Sequence, residues 1–239
     1  MSQILNLLYP TRCPVCDRPL PLVGVREGFC ETCYGKLHFV TKNRCMICGR
    51  GLADRGAEYC PDCAKYGKHY AYDRGLALCD YDEVMRNLIY RFKYEGRREY
   101  GEVFGRLMAK RLGKAVLRAG ADGIIPVPVH PKRLHRRGYN QAKVLAKSFG
   151  DALDIPVYDR FVERCENTIP MKNLSPAERQ KNLENAFKIG QNDVKLNVTI
   201  IMDDIYTTGA TMNAMAGLLK AHGIKRVYFL TMAIGGEVF

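Results

Sequence analysis

The segment IIMDDIYTTGAT, residues 200–211, decides the fold of this chain. Its apolar beginning predicts a buried strand over residues 198–202, and its end predicts the start of a helix at Thr211. Two acids and a turn rich in hydroxyl groups lie between the strand and the helix. Because a strand that leads directly into a helix is the repeating unit of α/β proteins, the segment predicts a sheet covered by helices.

Phosphate is the ligand that the turn at residues 207–211 fits best. Successive backbone N–H groups at the start of a helix form a cradle for an anion. The hydroxyl groups of Thr207, Thr208 and Thr211 add hydrogen-bond donors. Gly209, followed by Ala210, lets the backbone approach a ligand closely. We therefore expect the turn to hold one phosphate group.

Two adjacent carboxylates, Asp203 and Asp204, precede the turn. They would repel a second phosphate, but they can accept hydrogen bonds from neighbouring hydroxyl groups of a ribose. We expect both acids to lie at the surface of a site rather than in the core. Together with the phosphate cradle, they predict a ribose 5-phosphate site. The alternative is an ordinary helix N-cap with acidic flanks, since Thr and Asp favour such positions.

Apolar strands and amphipathic helices alternate in the last two thirds of the chain. This alternation predicts a mostly parallel sheet with helices on both faces, in which ligands bind beyond the carboxyl ends of the strands. A long polar loop is predicted at residues 163–186. The remaining predicted strands cover residues 75–81, 123–129 and 226–232, and the predicted helices cover residues 82–94, 103–112, 142–153 and 211–222.

A basic segment, PKRLHRRGYNQ at residues 131–141, follows one of these predicted strands. Lys132, Arg133 and Arg137 concentrate positive charge there, at a strand end where a ligand is expected. We interpret the segment as a loop that binds pyrophosphate. A solvated basic loop or a nucleic-acid patch is the alternative.

Eight cysteines form four Cys-x-x-Cys pairs in the first part of the chain. Two pairs separated by 11 to 13 residues supply the four ligands of a tetrahedral structural zinc, so the spacing predicts two zinc sites. A weak internal repeat favours sequential pairing over a cross-braced arrangement, which the sequence leaves open. The alternative is a disulfide framework. Cys79 and Cys165 are predicted to be small core residues. The predicted ligands are Cys13, Cys16, Cys30, Cys33, Cys45, Cys48, Cys60 and Cys63.

The compartment and the domain organisation follow from composition. The first nine residues lack the features of a signal peptide, and no span reaches the roughly 20 apolar residues of a membrane helix. We therefore expect a cytoplasmic protein, in whose reducing surroundings clustered thiols bind zinc. The composition changes near residues 67–73, which predicts a small zinc-binding domain over residues 1–70 and an α/β domain over residues 71–239.

The segment 200–211 closely resembles the loop of type I phosphoribosyltransferases that binds 5-phosphoribosyl 1-pyrophosphate (PRPP). By this resemblance, Asp203 and Asp204 hold the 2′ and 3′ hydroxyl groups of the ribose, and residues 207–211 hold its 5-phosphate. The run Arg137-Gly138-Tyr139 resembles the Arg-Gly-Phe of the pyrophosphate loop in adenine-specific members.

The resemblance also implies how a catalytic domain of this kind would work. Mg²⁺ would bridge pyrophosphate and ribose oxygens of PRPP. Arg137, with Lys132 or Arg133, would stabilise the departing pyrophosphate, while Asp203 and Asp204 would offset positive charge that develops on the ribose. Three residues, Asp203, Asp204 and Arg137, are thus the expected catalytic groups.

Further motifs occur in a fixed order along the chain. They are the cysteine pairs, RFKYEG at 91–96, PVPVHP at 126–131, RGYNQ at 137–141, LSPAER at 174–179 with Asn182 and Phe187, and the segment 200–211. This series is similar to that of the ComF family of competence proteins. The resemblance implies a double zinc ribbon fused to a type I phosphoribosyltransferase-like domain, a link to DNA uptake and natural transformation, and a flexible hood at residues 164–179.

The sequence does not identify an acceptor for the phosphoribosyl group, because no stretch supplies an evident base-specific pocket. A competing hypothesis is a PRPP-responsive, non-catalytic competence factor that binds single-stranded DNA and works with a DNA-uptake helicase or other competence proteins. The net charge of +12 permits such binding. Tyr66, Tyr70 and Tyr72 could offer stacking faces for bases, although tyrosines at such positions are more often packing residues.

Overall fold

The computed structural model describes residues 10–165, 186–191 and 193–235. A short 3₁₀ turn, Gly67–His69, connects the cysteine-rich part to the rest. The strands are β1 (Val25–Arg26), β2 (Phe29–Cys30), β3 (Arg74–Asp80), β4 (Gly123–Pro126), β5 (Val162–Arg164), β6 (Phe187–Ile189), β7 (Val198–Tyr206) and β8 (Arg226–Ile234). The helices are α1 (Glu31–Tyr34), α2 (Pro61–Tyr66), α3 (Glu83–Tyr94), α4 (Arg98–Ala119), α5 (Pro131–Arg137), α6 (Gln141–Leu153) and α7 (Ala210–Ala221).

Four strands form one parallel sheet in the order β3-β8-β7-β4. In its centre, Met202 of β7 lies opposite Leu230 of β8 on one side and Pro126 of β4 on the other. Each connection between these strands contains at least one helix, as parallel strands require. The predicted α/β fold with a parallel sheet is therefore confirmed.

Helices cover both faces of the sheet and bury an apolar layer on each. On one face, Phe104 of α4 and Leu145 of α6 pack in one cluster with Met202. On the other face, Met215 of α7 packs in a second cluster with Phe229 of β8. Each of these side chains is at most 1 % exposed, and burial of this kind stabilises a fold by about 1.5–3 kcal/mol per large apolar side chain.

Residues 38–40, which connect the two cysteine clusters, lie along the outer edge of β3. The N–H of Asp80 donates to the carbonyl oxygen of His38 at 2.9 Å, and the N–H of Val40 donates to that of Leu78 at 3.0 Å. Phe39 and Cys79 form an antiparallel bridge. The cysteine-rich part thus shares backbone hydrogen bonds with the sheet. The division of the chain at residue 70 stays a prediction.

The basic segment is the largest difference between the predicted and the observed elements. Residues 131–137 form the helix α5 instead of a loop. The side chain of His130 accepts a hydrogen bond from the N–H of Lys132 at 3.2 Å, and Pro131 occupies the first turn, where its fixed φ suits a helix. Gly138, with φ +76°, ends the helix.

Two predicted strands have different lengths in the structure. β7 continues to Tyr206, because its partner β8 also continues, to Ile234, and pairs with it over the whole length. β4 ends at Pro126 rather than at residue 129, and Pro128 has no N–H to donate to a strand ladder. Most of the predicted polar loop lies outside the described residues, and its two ends form the antiparallel pair β5-β6.

None of the helices in the described part of the chain has the length and hydropathy that crossing a membrane requires.

Candidate functional site

The two acids lie in the last part of β7, near the carboxyl edge of the sheet. Successive side chains of a strand point to opposite faces, and the two acids have different surroundings. Asp203 is partly exposed, whereas Asp204 is only 4 % exposed. Its Oδ2 atom lies 2.8 Å from Nζ of Lys93, near the end of α3. The expectation that both acids lie at the surface is therefore wrong for Asp204.

Asp203 lies among several charged groups. The pKa of Asp203 is raised to about 7, mainly by burial and also by the adjacent charge of Asp204, while Lys93 and Arg164 act in the opposite direction. The Oδ1 atom of Asp203 accepts the backbone N–H of Asp204 at 2.8 Å. Lys93 thus contacts Asp204 and also acts on Asp203, and Arg164 of β5 interacts electrostatically with Asp203.

The turn after β7 is closely packed around Gly209. This residue has φ +81° and caps the start of α7. A Cβ atom at this position would lie 2.4 Å from the hydroxyl oxygen of Tyr206. The Tyr206 ring stacks on Phe229 with centroids 4.9 Å apart, and its hydroxyl group lies 2.9 Å from that of Tyr72. The aromatic side chains therefore pack directly against the turn and leave no room for a larger residue at position 209.

The turn itself has the features of an anion site. Thr207 and Thr208 are exposed, and Ala210 and Thr211 are partly exposed at the beginning of α7. The first N–H groups of a helix have no partners within the helix and carry partial positive charge. These donors and the threonine hydroxyl groups can hold one phosphate group just beyond the two acids.

The basic helix α5 begins next to the same edge of the sheet. β4 and β7 are adjacent, and the N–H of Val127 donates to the carbonyl oxygen of Met202 at 2.9 Å. Lys132 and Arg133 are exposed on α5. Arg133 is close enough to Arg164 to contribute to the lowering of the Arg164 pKa, whose main cause is burial. The fold therefore brings the two segments that the sequence predicted as PRPP-binding to one edge.

Arg137 is held in place by two hydrogen bonds. One terminal nitrogen donates to Oε1 of Gln141 at 3.0 Å, and the other donates to the hydroxyl oxygen of Tyr94 at 3.1 Å. The bond from Arg137 lowers the pKa of Tyr94. Tyr139 packs against Phe92 and donates its hydroxyl hydrogen to the carbonyl oxygen of that residue. Arg137 is thus oriented by its neighbours, and Tyr139 supports the end of α3.

Lys93, Tyr94 and Arg164 contact or adjoin the site, and none of them was among the predicted site residues. Lys93 and Tyr94 belong to the RFKYEG motif, which served only as a mark of family resemblance. No local pattern in the sequence marked either residue as part of the site. Arg164 stands at the end of β5, where its guanidinium group lies 5.4 Å from the ring centre of Phe187.

The eight cysteines of the Cys-x-x-Cys pairs form two tetrads. Cys13, Cys16, Cys30 and Cys33 form the first tetrad, and Cys45, Cys48, Cys60 and Cys63 form the second. In each tetrad the Sγ atoms lie within 4.8 Å of one another. The Sγ distances between Cys13 and Cys30 and between Cys48 and Cys60 are both 3.7 Å.

This geometry fits zinc and shows the pairing. A tetrahedral ion with Zn–S bonds of about 2.3 Å requires S–S distances of about 3.8 Å, close to those in both tetrads. The pairing is sequential, as the internal repeat favoured. Cys79 lies apart from both tetrads, in the core, where burial raises its pKa far above the usual range of a thiol. Cys165 belongs to neither tetrad and is partly exposed.

Each cysteine cluster is joined to a different part of the candidate site. Near the first tetrad, the carbonyl oxygen of Val15 accepts a hydrogen bond from Arg91 of α3 at 2.8 Å. Near the second, Arg50 donates to the carbonyl oxygen of Gly235 at 2.9 Å, and the N–H of Gly235 donates to that of Tyr206 at 2.9 Å. The first cluster thus supports the helix that carries Lys93, and the second supports the strand end below the phosphate turn.

Comparison with known proteins agrees with this architecture over most of the chain. The double zinc ribbon domain family matches residues 4–64. Competence protein F of Haemophilus influenzae (strain ATCC 51907 / DSM 11121 / KW20 / Rd) is 30% identical over 218 residues, which cover 83% of this chain and 93% of that protein. The chain belongs to the ComF family.

Other ComF-family relatives show the same extent of similarity. DNA utilization protein YhgH of Escherichia coli (strain K12) is 30% identical over 224 residues, which cover 92% of this chain and 96% of that protein. Competence protein ComFC of Bacillus subtilis (strain 168) is 28% identical over 224 residues, which cover 88% of this chain and 89% of that protein. Because the similarity spans both the cysteine-rich part and the α/β part, the combination of the two is shared by these relatives.

Proposed function

We propose that this ComF-family protein binds PRPP in the cytoplasm and transfers its phosphoribosyl group to a small acceptor that is not yet identified. The proposal is supported mainly by the order of the functional groups at the end of β7. Two acids are followed by a fixed glycine turn that opens α7, so acceptors for sugar hydroxyl groups lie beside donors for a phosphate group. A ribose 5-phosphate has this combination of groups.

One set of residues would bind the ribose 5-phosphate part of PRPP, and another would bind its pyrophosphate. The turn at 207–211 would hold the 5-phosphate, and the acids, Asp203 in particular, would accept hydrogen bonds from the ribose hydroxyl groups. Lys132 and Arg133 would attract the pyrophosphate, and Arg137 keeps further N–H donors on both terminal nitrogens for it.

The groups around the proposed sugar site fit a magnesium complex of PRPP. Mg²⁺ is a hard cation that takes oxygen ligands, and bound with PRPP it would neutralise pyrophosphate charge. As the bond from the ribose C1 to pyrophosphate breaks, positive charge develops on the sugar and negative charge on the leaving group. The carboxylate of Asp203 and the cations of α5 have the signs that stabilise these two charges.

A role in DNA uptake is supported by the names of the relatives. Competence protein F, Competence protein ComFC and DNA utilization protein YhgH match 83% to 92% of this chain. We infer that this protein also takes part in DNA uptake and natural transformation, together with a DNA-uptake helicase or other competence proteins.

Magnesium-dependent release of pyrophosphate from PRPP tests the enzymatic proposal. The assay supplies a dialysable small-molecule extract as the pool of acceptors and compares the wild type with the Asp203→Asn/Asp204→Asn variant. Asp193→Asn is the matched control, because Asp193 is an exposed acid that precedes the amino end of β7, whereas the proposed site lies at the carboxyl end of that strand. Release above hydrolysis background that only the double variant loses would support transfer. Equal release by the wild type and the double variant would contradict it.

The positive surface favours a second candidate, a non-catalytic PRPP-responsive factor that binds single-stranded DNA. The net charge is +12, and α5 exposes several cations. The stacking surface is smaller than the sequence suggested, because Tyr72 is buried at 4 % exposure and Tyr70 stacks on it, which leaves Tyr66 exposed. DNA affinity that falls steeply with salt, and falls further in Lys132→Ala/Arg133→Ala, would favour this candidate if pyrophosphate release is absent.

A further inference from the structure

We propose that Lys93 is a positioning residue of the PRPP site. Lys93 holds Asp204 as a charge-compensated carboxylate, and Asp203 is then the acid that faces the sugar. This inference rests on the proposed function and assigns different tasks to the two acids. The Lys93 ammonium group lies 2.8 Å from Asp204 Oδ2, and the two side chains are only 19% and 6% exposed. Asp203 is partly exposed on the same strand.

The charge of the ligand gives the physical reason for such a pair. PRPP carries a phosphate and a pyrophosphate, so two uncompensated carboxylates beside its ribose would repel it. The positive charge of Lys93 compensates for the negative charge of Asp204, and the carboxylate of Asp203 can still accept hydrogen bonds from hydroxyl groups. A buried ion pair also has a fixed geometry, since moving either partner would leave an unpaired charge out of water. Lys93 thus lowers the repulsion and fixes the carboxylate of Asp204.

The charged groups around the acids come from four elements. Lys93 belongs to α3, Asp203 and Asp204 belong to β7, Arg164 belongs to β5, and Arg133 belongs to α5. Arg164 interacts with Asp203 and with Arg133, and Lys93 acts on both acids. Removal of the Lys93 charge would therefore leave Asp204 without its contact partner, while Arg164 would still act on Asp203.

Binding of PRPP at two pH values separates positioning from simple packing. The variants are Lys93→Met, Lys93→Arg and Lys93→Met/Asp204→Asn, measured by calorimetry at about pH 6 and about pH 8 and expressed as ratios to the wild type at the same pH. Without the ammonium group, a proton on Asp204 must compensate for its buried charge, and this proton is lost as the pH rises. We expect Lys93→Met to weaken binding roughly 10- to 100-fold at the higher pH, and less at the lower pH.

The two other variants show whether the charge of Lys93 is what matters. Lys93→Arg keeps the positive charge and should retain most of the affinity. The double variant Lys93→Met/Asp204→Asn removes both charges of the pair, so it leaves no buried unpaired ion and keeps Asp203. At the higher pH it should bind PRPP more tightly than Lys93→Met does, and its affinity relative to the wild type should be the same at both pH values within about twofold.

Several results would overturn the inference, and they differ from a failure of the proposed function. A loss in Lys93→Met that is equal at both pH values would mean that Lys93 packs or contacts the ligand itself. If Lys93→Met does not fold, the double variant decides alone: a loss of affinity, relative to the wild type, that is clearly larger at the higher pH would contradict the role, because this variant has no unpaired Asp204 charge. A wild-type protein that binds no PRPP would refute the proposed function, and the positioning role with it.

Discussion

Replacement of Gly209 by alanine tests whether the turn above Tyr206 is as rigid as its contacts indicate. Alanine at φ +81° costs roughly 1–2 kcal/mol, because its Cβ atom is crowded by the backbone. The same Cβ would lie 2.4 Å from the Tyr206 hydroxyl oxygen and 2.9 Å from Cζ of that ring. Tyr206 is fixed by its stack on Phe229 and its contact with Tyr72, so the clash adds roughly 1–3 kcal/mol of overpacking. The sum is about 2–5 kcal/mol.

Gly138 offers a matched control for this substitution. It has φ +76°, but a Cβ atom there meets nothing within 4 Å. Gly138→Ala therefore has only the backbone cost of about 1–2 kcal/mol. For a chain of this size, each kcal/mol lowers the melting temperature by about 2–4 °C. Calorimetric melting should thus show a fall of about 2–8 °C for Gly138→Ala and about 4–20 °C for Gly209→Ala.

Affinity and a second substitution complete the test of the turn. Gly209→Ala should also weaken PRPP binding, because the N–H groups at the start of α7 move when Tyr206 is displaced. Replacing Tyr206 by phenylalanine removes the clash with the hydroxyl oxygen, although the Cζ atom of the ring still lies 2.9 Å from the added Cβ. In a Tyr206→Phe background, the melting temperatures of Gly209→Ala and Gly138→Ala should therefore differ by less. Equal melting temperatures for Gly209→Ala and Gly138→Ala, with unchanged PRPP affinity, would refute the reasoning.

Three further predictions concern the metal sites, the acids and the contact between the two parts of the chain. Cys45→Ser should reduce the zinc content by one of the two ions that the tetrads predict, measured by mass spectrometry, whereas Cys79→Ser should retain both. Since the pKa of Asp203 is raised, its stabilising contribution is present at low pH and is lost as the pH rises through about 7. The melting temperature of Asp203→Asn minus that of the wild type should therefore increase between about pH 5 and about pH 8. A difference that stays the same over this range would contradict the raised pKa. Tyr100→Phe removes a hydrogen bond to Asp17 and should lower stability by about 1–3 kcal/mol without loss of zinc; an unchanged melting temperature would argue against that bond.

The parts of the structure that depend on local sequence were predictable. The cysteine tetrads follow from spacing, because each Cys-x-x-Cys pair forms within one tight turn. The helices α3, α6 and α7 follow from their apolar periodicity. The helix α5 has no clear periodicity, but the capping residue His130, the following Pro131 and the terminal Gly138 were local signals that predict a short helix.

The features that depend on distant partners could not be predicted in this way. The strand β7 was expected to end before its acids, because Asp203 and Asp204 interrupt the apolar run. Its observed length is determined by pairing with β8, whose residues lie 28 positions later in the chain. The burial of Asp204 likewise depends on Lys93, which is more than 100 positions away. The residue pattern of each segment, taken alone, predicts neither the pairing of β7 with β8 nor the ion pair between Lys93 and Asp204.

The path of residues 38–40 along β3 has a consequence for self-association. An edge strand with free N–H and C=O groups is a template on which another chain can add a strand. In this protein the connection between the two cysteine clusters occupies that position, through the hydrogen bonds of His38 and Val40. The tetrads at both ends of the connection predict that zinc keeps it folded, so we expect metal depletion to uncover the edge of a sheet whose own strands are still paired. Zinc-depleted protein should then form dimers and larger aggregates before unfolded monomers appear.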